Sequence, residues 1–417
     1  MRLRYIYSAC NVIETRDARI LSDPWFTPGA YDGSWFQYPL IEDPIRAIGP
    51  VDLIYVSHIH PDHYDPAFLS RYLAAYPKAE LVIGETRPNY LAKRMGADGF
   101  APRIATSLAV GDTELFILAN NGYEADNVDT ALVVRCGGRS IVNLNDNPFD
   151  PKQVEDIQRL LPGGRPTFAL LPYTGAGPYP QTHRMDEALK RQKAQAKKQQ
   201  FLSLFRRYVE TLQPERMMPF AGKYWLGGPL AGLNEFRGIP DATEAAALFP
   251  GRAVVLADGG RAVFDLDTMR ASAERTVAYD EGVIGDYLNG LDFPGYAYER
   301  DAMPVDEASL LSLLASAYRN AFSKRALTEP YWLCLKCHGA ERYFILDLAS
   351  FAPIVRAPGC DHLRPRYEIH VDSRYLSGLL TRRYHWNNAL IGSQLSCAQV
   401  PDVHQPQIQS FLNFLHI

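Results

Sequence analysis

Ser57-His58-Ile59-His60-Pro61-Asp62-His63 follows directly on the apolar run Leu53-Ile54-Tyr55-Val56. Three of the chain's 10 histidines fall within these few positions, beside one carboxylate, and so far from chance a spacing points to a metal loop at the end of a strand. An extended run sends alternate side chains to one face, so His58 and His60 can reach a single ion. The Pro61 turn redirects Asp62 and His63 toward a second ion, and one loop can therefore serve two adjacent cations.

Working outward, residues 4–23 read as two strands around the polar turn Thr15-Arg16-Asp17. The stretch 25–45 is rich in Gly, Pro and aromatics, among them Trp25, Phe26, Tyr31, Trp35, Phe36 and Tyr38; it can wall a substrate pocket or pack a sandwich edge. Past the metal loop, a helical spacing at 66–76 and strand patterns at 80–84, 115–119, 131–135 and 140–145 describe a layered α/β arrangement. Residues 186–212 have helical spacing and carry Lys190, Arg191, Lys193, Lys197 and Lys198, a solvated face or an anion contact.

The histidine motif resembles the signature of the metallo-β-lactamase superfamily, and two further segments fit. Ala18-Arg19-Ile20-Leu21-Ser22-Asp23-Pro24 resembles that family's first motif, a strand ending in an aspartate that steadies the metal loop. Ile141-Val142-Asn143-Leu144-Asn145-Asp146 resembles its later strand ending in a metal-bridging aspartate. Asp23-Pro24-Trp25-Phe26, Asn143-Leu144-Asn145-Asp146 and Pro219-Phe220-Ala221-Gly222 look most like the lactamase-type domain of CMP-N-acetylneuraminate hydroxylase and its bacterial relatives. The resemblance implies a four-layer αββα sandwich over residues 1–265, a dinuclear metal centre, and Asp62 and Asp146 as the residues nearest the chemistry.

A connector is expected at 266–304 and a smaller C-terminal α+β domain at 305–417, since 417 residues exceed what one core usually organises. Residues 384–392 resemble sterol-carrier-type modules. Cys334-Leu335-Lys336-Cys337-His338 has the spacing of a c-type haem attachment, which belongs to exported proteins, and with Cys360 and His362 it offers a second possible metal site. The alternative is buried thiols.

No histidine lies between His63 and His183, where zinc hydrolases of the superfamily normally supply one. The missing ligand is therefore sought between Asn120 and Asp129, with Glu124 chosen first and Asp126 second; His183 is a candidate for the later histidine. The metal set is then His58, His60, Asp62, His63, Glu124 and Asp146. Carboxylate in place of imidazole favours iron, with zinc or manganese as alternatives, and resembles the diiron variant of the fold in a chloramphenicol-pathway β-hydroxylase. The expected function is O₂-dependent hydroxylation of a small or carrier-bound biosynthetic intermediate, with an external electron donor. Metal-dependent hydrolysis of a phosphoester, amide or lactone is the alternative, and a non-catalytic metal-binding scaffold the second.

A net charge of -4 gives no reason to expect nucleic acid. No apolar run of about 18 residues suggests membrane insertion, and no leader pattern opens the chain, so a cytoplasmic location is expected.

Overall fold

The computed structural model describes residues 1–120, 129–303, 305–325, 327 and 329–417. Glu124 and Asp126 lie outside the described residues. Two sheets face each other in the N-terminal part. One has eight strands, in the order Arg270–Ala271, Val263–Asp265, Arg2–Tyr7, Cys10–Glu14, Arg19–Ser22, Leu53–Val56, Glu80–Ile83, Arg103–Ile104. The other has six, in the order Arg216–Phe220, Phe168–Pro172, Arg139–Asn143, Thr130–Cys136, Thr113–Ala119, Ser107–Val110.

The layering follows from the two-residue period of a strand. Leu53 and Tyr55 join Leu132, Val134, Ile141 and Leu170 in the core between the sheets. Ile54 and Val56 turn the other way, onto Phe68, Leu69, Leu91 and Met95 of the helices Pro66–Ala75 and Tyr90–Ala97. Ala131, Val133, Val142 and Leu171 likewise meet Val154 and Ile157 of Pro151–Leu160 and Phe205, Tyr208 and Val209 of Glu187–Leu212. The central strands are buried on both faces, which is why they read as continuous apolar runs. Helix, sheet, sheet, helix is the expected four-layer sandwich.

The opening differs in detail from the sequence reading: residues 2–22 make three strands, because the chain turns at Ser8, with φ of 47°, between Arg2–Tyr7 and Cys10–Glu14. Helix starts are fixed chemically. Asp65, Asp150, Asp186 and Asp306 each accept a hydrogen bond from a first-turn backbone N–H. The basic helix Glu187–Leu212 pairs part of its charge with neighbours: Arg191 with Glu187 and Glu235, Lys193 with Asp402, and Lys198 with Glu244.

The C-terminal part has a five-stranded sheet, in the order Val355–Ala357, Tyr343–Asp347, Trp332–Cys337, Arg366–Val371, Ser396–Val400. Helices Glu307–Ser323, Ser373–Leu380 and Pro406–Asn413 cover one face and bury a core that includes Leu314, Tyr318, Leu333, Ile369, Tyr375, Trp386 and Phe411. The suggested site of Cys334, Cys337, Cys360 and His362 is not assembled. Cys334 packs with Ile345 and Cys360 on one face of its strand, whereas Cys337, an odd number of positions on, enters the helix-covered core on the other. Among the described residues, no helix is long and apolar enough to cross a membrane.

The two parts meet at residues 29–36, where the backbone takes positive φ at Gly29 (82°), Tyr31 (55°), Asp32 (61°) and Gly33 (109°). The Tyr375 hydroxyl, from Ser373–Leu380, donates to Asp32 Oδ2 at 2.7 Å. Burial pushes the Asp32 carboxyl up to about 6, with the Tyr375 hydrogen bond opposing. A carboxyl raised in the folded state stabilises fully below its unfolded value and loses that contribution as the pH rises through about 6. Asp32→Asn, which tolerates the same backbone region, is expected to flatten this dependence and to add on the order of 1–2 kcal/mol near pH 8. Urea denaturation of both proteins at about pH 4 and pH 8 measures it; a variant less stable at the higher pH contradicts the assignment.

Candidate metal centre

The centre forms at one edge of the sandwich, where two strands release their chains. Leu53–Val56 ends at Ser57, and Arg139–Asn143 runs into Leu144, Asn145 and Asp146. Asn145 has φ of 52°, a region Asn tolerates, and its N–H donates to Asn143 Oδ1 at 2.9 Å. This tight turn delivers Asp146 to the histidine loop.

Asp23, at the end of Arg19–Ser22 and wholly buried, holds that loop. Its Oδ1 accepts the Ser57 N–H at 2.7 Å, its Oδ2 accepts the Ser57 hydroxyl at 2.8 Å, and Oδ2 lies 3.1 Å from His63 Nδ1. With Nδ1 so engaged, His63 presents Nε2 inward, 3.5 Å from Asp62 Oδ2 and 3.6 Å from Asp146 Oδ1. Asp62 is aimed in turn by the Tyr31 hydroxyl, which donates to its Oδ1 at 2.6 Å. His58 Nε2 and His60 Nδ1 approach to 2.9 Å, and His58 Nδ1 stands 3.9 Å from Asp146 Oδ1. Asp146 Oδ1 thus stands beside a ring nitrogen of both His58 and His63.

The donor set fits a bound cation. His58, His63 and Asp146 each offer a ligand atom, all within 4.8 Å of one another. Asp146 Oδ1 is buried and accepts no hydrogen bond among the described residues, an arrangement that costs free energy unless a positive centre faces it. Burial and the neighbouring imidazole lower His58 and His60, so both are neutral with lone pairs to give. Burial would lower His63 too, but Asp146, Asp62 and Asp23 outweigh it and push the imidazole up to about 10. For Asp146, burial works upward and the three imidazoles prevail, keeping it below the usual carboxylate range. A cation replacing the His63 proton would meet the same field.

Asp129 is the residue that pattern reading underweighted. It precedes Thr130–Cys136, its Oδ1 lies 3.9 Å from His58 Nδ1, and burial together with the charge of Asp146 raises its carboxyl. The signal was only that it closes an acidic stretch. His183 is not brought to the centre: the chain at that point leaves the sandwich to bridge Cys397 of the C-terminal sheet. Its ring sits 4.9 Å from Tyr179 and 6.0 Å from Tyr367, and burial lowers the imidazole to about 4. The aromatic loop supplies a wall: Tyr31 packs 4.4 Å from Trp35, which stacks on Tyr224 at 3.4 Å and 3°.

Residues 2–144 match the model of the β-lactamase superfamily domain. That part of the chain is thus similar to the β-lactamase superfamily domain, and the described residues include a His/Asp group able to hold a metal ion. More particularly, the chain is similar to the cytidine monophosphate-N-acetylneuraminic acid hydroxylases. It is 24% identical over 433 residues to the inactive human protein of that name, covering 97% of this chain and 83% of that one. Against the Gorilla gorilla gorilla hydroxylase it is 23% identical, covering 97% and 69%. A Mycolicibacterium smegmatis protein named for a Rieske 2Fe-2S centre is 28% identical over 340 residues, 78% of this chain and 60% of its own. The chain thus spans little more than half the length of such mycobacterial relatives. Among solved structures, an isothiocyanate hydrolase from Delia radicum gut bacteria superposes with a TM-score of 0.43 at 15% identity, covering 64% of this chain and 98% of that one. A variant of the β-hydroxylase CmlA gives 0.40 at 16%, covering 60% and 51%.

Proposed function

We propose that this chain is a dinuclear metalloenzyme that uses O₂ to hydroxylate a small or carrier-bound intermediate, with iron the favoured metal. The observation that carries the proposal is the donor balance of the centre. Asp62, Asp146 and Asp129 stand beside His58, His60 and His63, and hard oxygen donors in that proportion suit iron or manganese better than an imidazole-rich set does. Similarity along 97% of the chain to primate proteins named as hydroxylases supports the same reading.

His58 and His60 would hold one ion and Asp62 and His63 the other, with Asp146 between them and Glu124 or Asp129 completing the first. Bound there, iron would supply the redox chemistry that activates O₂, and zinc would supply Lewis acidity for hydrolysis instead. The chain's own residues orient the donors. Asp23 fixes the face His63 presents, and Tyr31 holds one oxygen of Asp62 so that the other points inward. Trp35 and Tyr224 close an apolar wall behind Tyr31 and keep water from that side. Hydroxylation consumes two electrons from outside the centre, and an iron–sulfur protein is the proposed donor, in keeping with the mycobacterial relatives' name.

Metal analysis of the full chain, produced with iron and zinc both available, tests the proposal together with oxygen uptake. Two irons and uptake support it; tightly held zinc with phosphodiesterase, amidase or lactonase turnover replaces it with hydrolysis. Glu124→Ala and Asp129→Ala separate the two candidate ligands. The true ligand's loss is expected to weaken one ion by more than about 10-fold, judged from the 10–100-fold effects of residues that merely support ligands. Unchanged stoichiometry and affinity in both variants would leave the first ion without either Glu124 or Asp129 as a ligand.

A further inference from the structure

His60 has its two ring nitrogens on two different parts of the molecule. Nδ1 faces His58 Nε2 at 2.9 Å, inside the lactamase-type domain. Nε2 lies 3.1 Å from Asn387 Nδ2, and Asn387 belongs to the short helix Trp386–Ile391 of the C-terminal part. Gln409, on Pro406–Asn413, donates through Nε2 to Asn387 Oδ1 at 2.9 Å. We propose that Asn387 is a positioning residue of the metal centre, through which the C-terminal part selects the tautomer of His60 that turns its Nδ1 lone pair toward the first ion.

The chemistry is that of a neutral imidazole. If Nδ1 is to donate its lone pair to an ion, the ring proton must sit on Nε2 and needs an acceptor. Metal-bound histidines characteristically give this outer N–H to a carbonyl or carboxylate, which fixes the ring and raises its basicity. Asn387 supplies that acceptor with its carboxamide turned end for end from its placed orientation, so that Oδ1 and not Nδ2 meets His60 Nε2. Oxygen and nitrogen of an amide are interchangeable in position, so turning Asn387 and Gln409 together preserves their mutual hydrogen bond. Within the lactamase-type domain, Asp23 does the same for His63.

The placement of Asn387 is itself secured. Three residues beyond its helix's end, Gln394 donates through Nε2 to the Tyr31 carbonyl at 2.7 Å, and the Tyr375 hydroxyl reaches Asp32. A Cβ on Gly392 would stand 2.7 Å from Ser34 Oγ and 3.0 Å from the Tyr31 carbonyl oxygen, so the two parts are in close contact at this point. The same contact surface therefore supports Tyr31, which aims Asp62, and Asn387, which aims His60. The C-terminal part acts on both halves of the donor set.

The inference rests on the metal-centre reading, and the experiment separates the two. Zinc is titrated into metal-free full chain against a chelator, for wild type, Asn387→Ala and Asn387→Asp. Imidazole ¹⁵N NMR of the zinc-loaded proteins reports which nitrogen of His60 carries the proton. Wild type binding neither zinc nor, in a parallel anaerobic titration, iron(II) tightly sinks the metal centre itself. Otherwise Asn387→Ala is expected to weaken one of two sites by roughly 10–100-fold, with the other site unchanged and the melting temperature kept. Asn387→Asp, which retains an acceptor, restores affinity and the Nε2–H signal. Wild-type affinity and tautomer in Asn387→Ala overturn the inference. So does equal weakening in both variants with a lowered melting temperature, because that outcome reports packing alone.

Discussion

Asp146→Ala is expected to remove at least one of the two metal ions proposed for the centre and to lower turnover by more than about 100-fold, above the range seen for residues that only support ligands. Asp146 is the side chain that faces both donor groups, His63 Nε2 at 3.6 Å and His58 Nδ1 at 3.9 Å. Its loss also removes a main influence raising His63, whose imidazole then titrates at lower pH. Some stability should be lost with it, because the three imidazoles hold Asp146 below the usual carboxylate range. Asp146→Asn keeps the shape and drops the charge, and should behave like the alanine variant if charge is what matters. The measurement is metal-to-protein ratio by elemental analysis beside the thermal transition. Retention of both ions at unaltered affinity contradicts the assignment of Asp146 to the space between them.

Trp35→Ala is expected to destabilise the protein by about 3–5 kcal/mol, the range for truncating a large buried aromatic. Trp35 is 2% exposed, stacks on Tyr224 and packs against Tyr31 and Trp25. Its short strand, Trp35–Phe36, pairs with Trp225–Leu226, so one side chain holds together two distant segments. The vacated volume lies beside Tyr31, whose hydroxyl aims Asp62, and metal affinity should fall with stability. Trp35→Phe retains a ring for the stack and should lose less than half as much. Denaturant unfolding with linear extrapolation gives both values. A loss below about 1 kcal/mol would mean that the site collapses around the cavity and that the stack does not brace Tyr31.

The sandwich was legible because its signals are local and repeated. Leu53-Ile54-Tyr55-Val56 and Ile141-Val142 are apolar on successive positions, as strands buried on both faces must be. The histidine loop was legible because a turn after a strand converts sequence spacing directly into geometry. Three features escaped. The hairpin at Ser8 carries no Gly or Pro, since its turn relies on a serine at positive φ. The Cys334 and Cys337 pair looked like one site, but strand alternation sends the thiols to opposite faces. His183 was a candidate by elimination, and only its pairing with Cys397 shows where its segment goes.

By itself the sequence determined the strand-borne metal loop, the carboxylate that follows the second strand and the layered fold that brings the two strand ends to one edge. Each of these depends on neighbours along the chain, where periodicity and turn chemistry operate. The tertiary structure alone decided that Asp129 faces His58, that Tyr31 orients Asp62 across 31 positions, and that Asn387 reaches His60 across 327. Such contacts join side chains whose separation in sequence carries no periodic signal, because they are set by how whole layers and the C-terminal part pack against the sandwich edge.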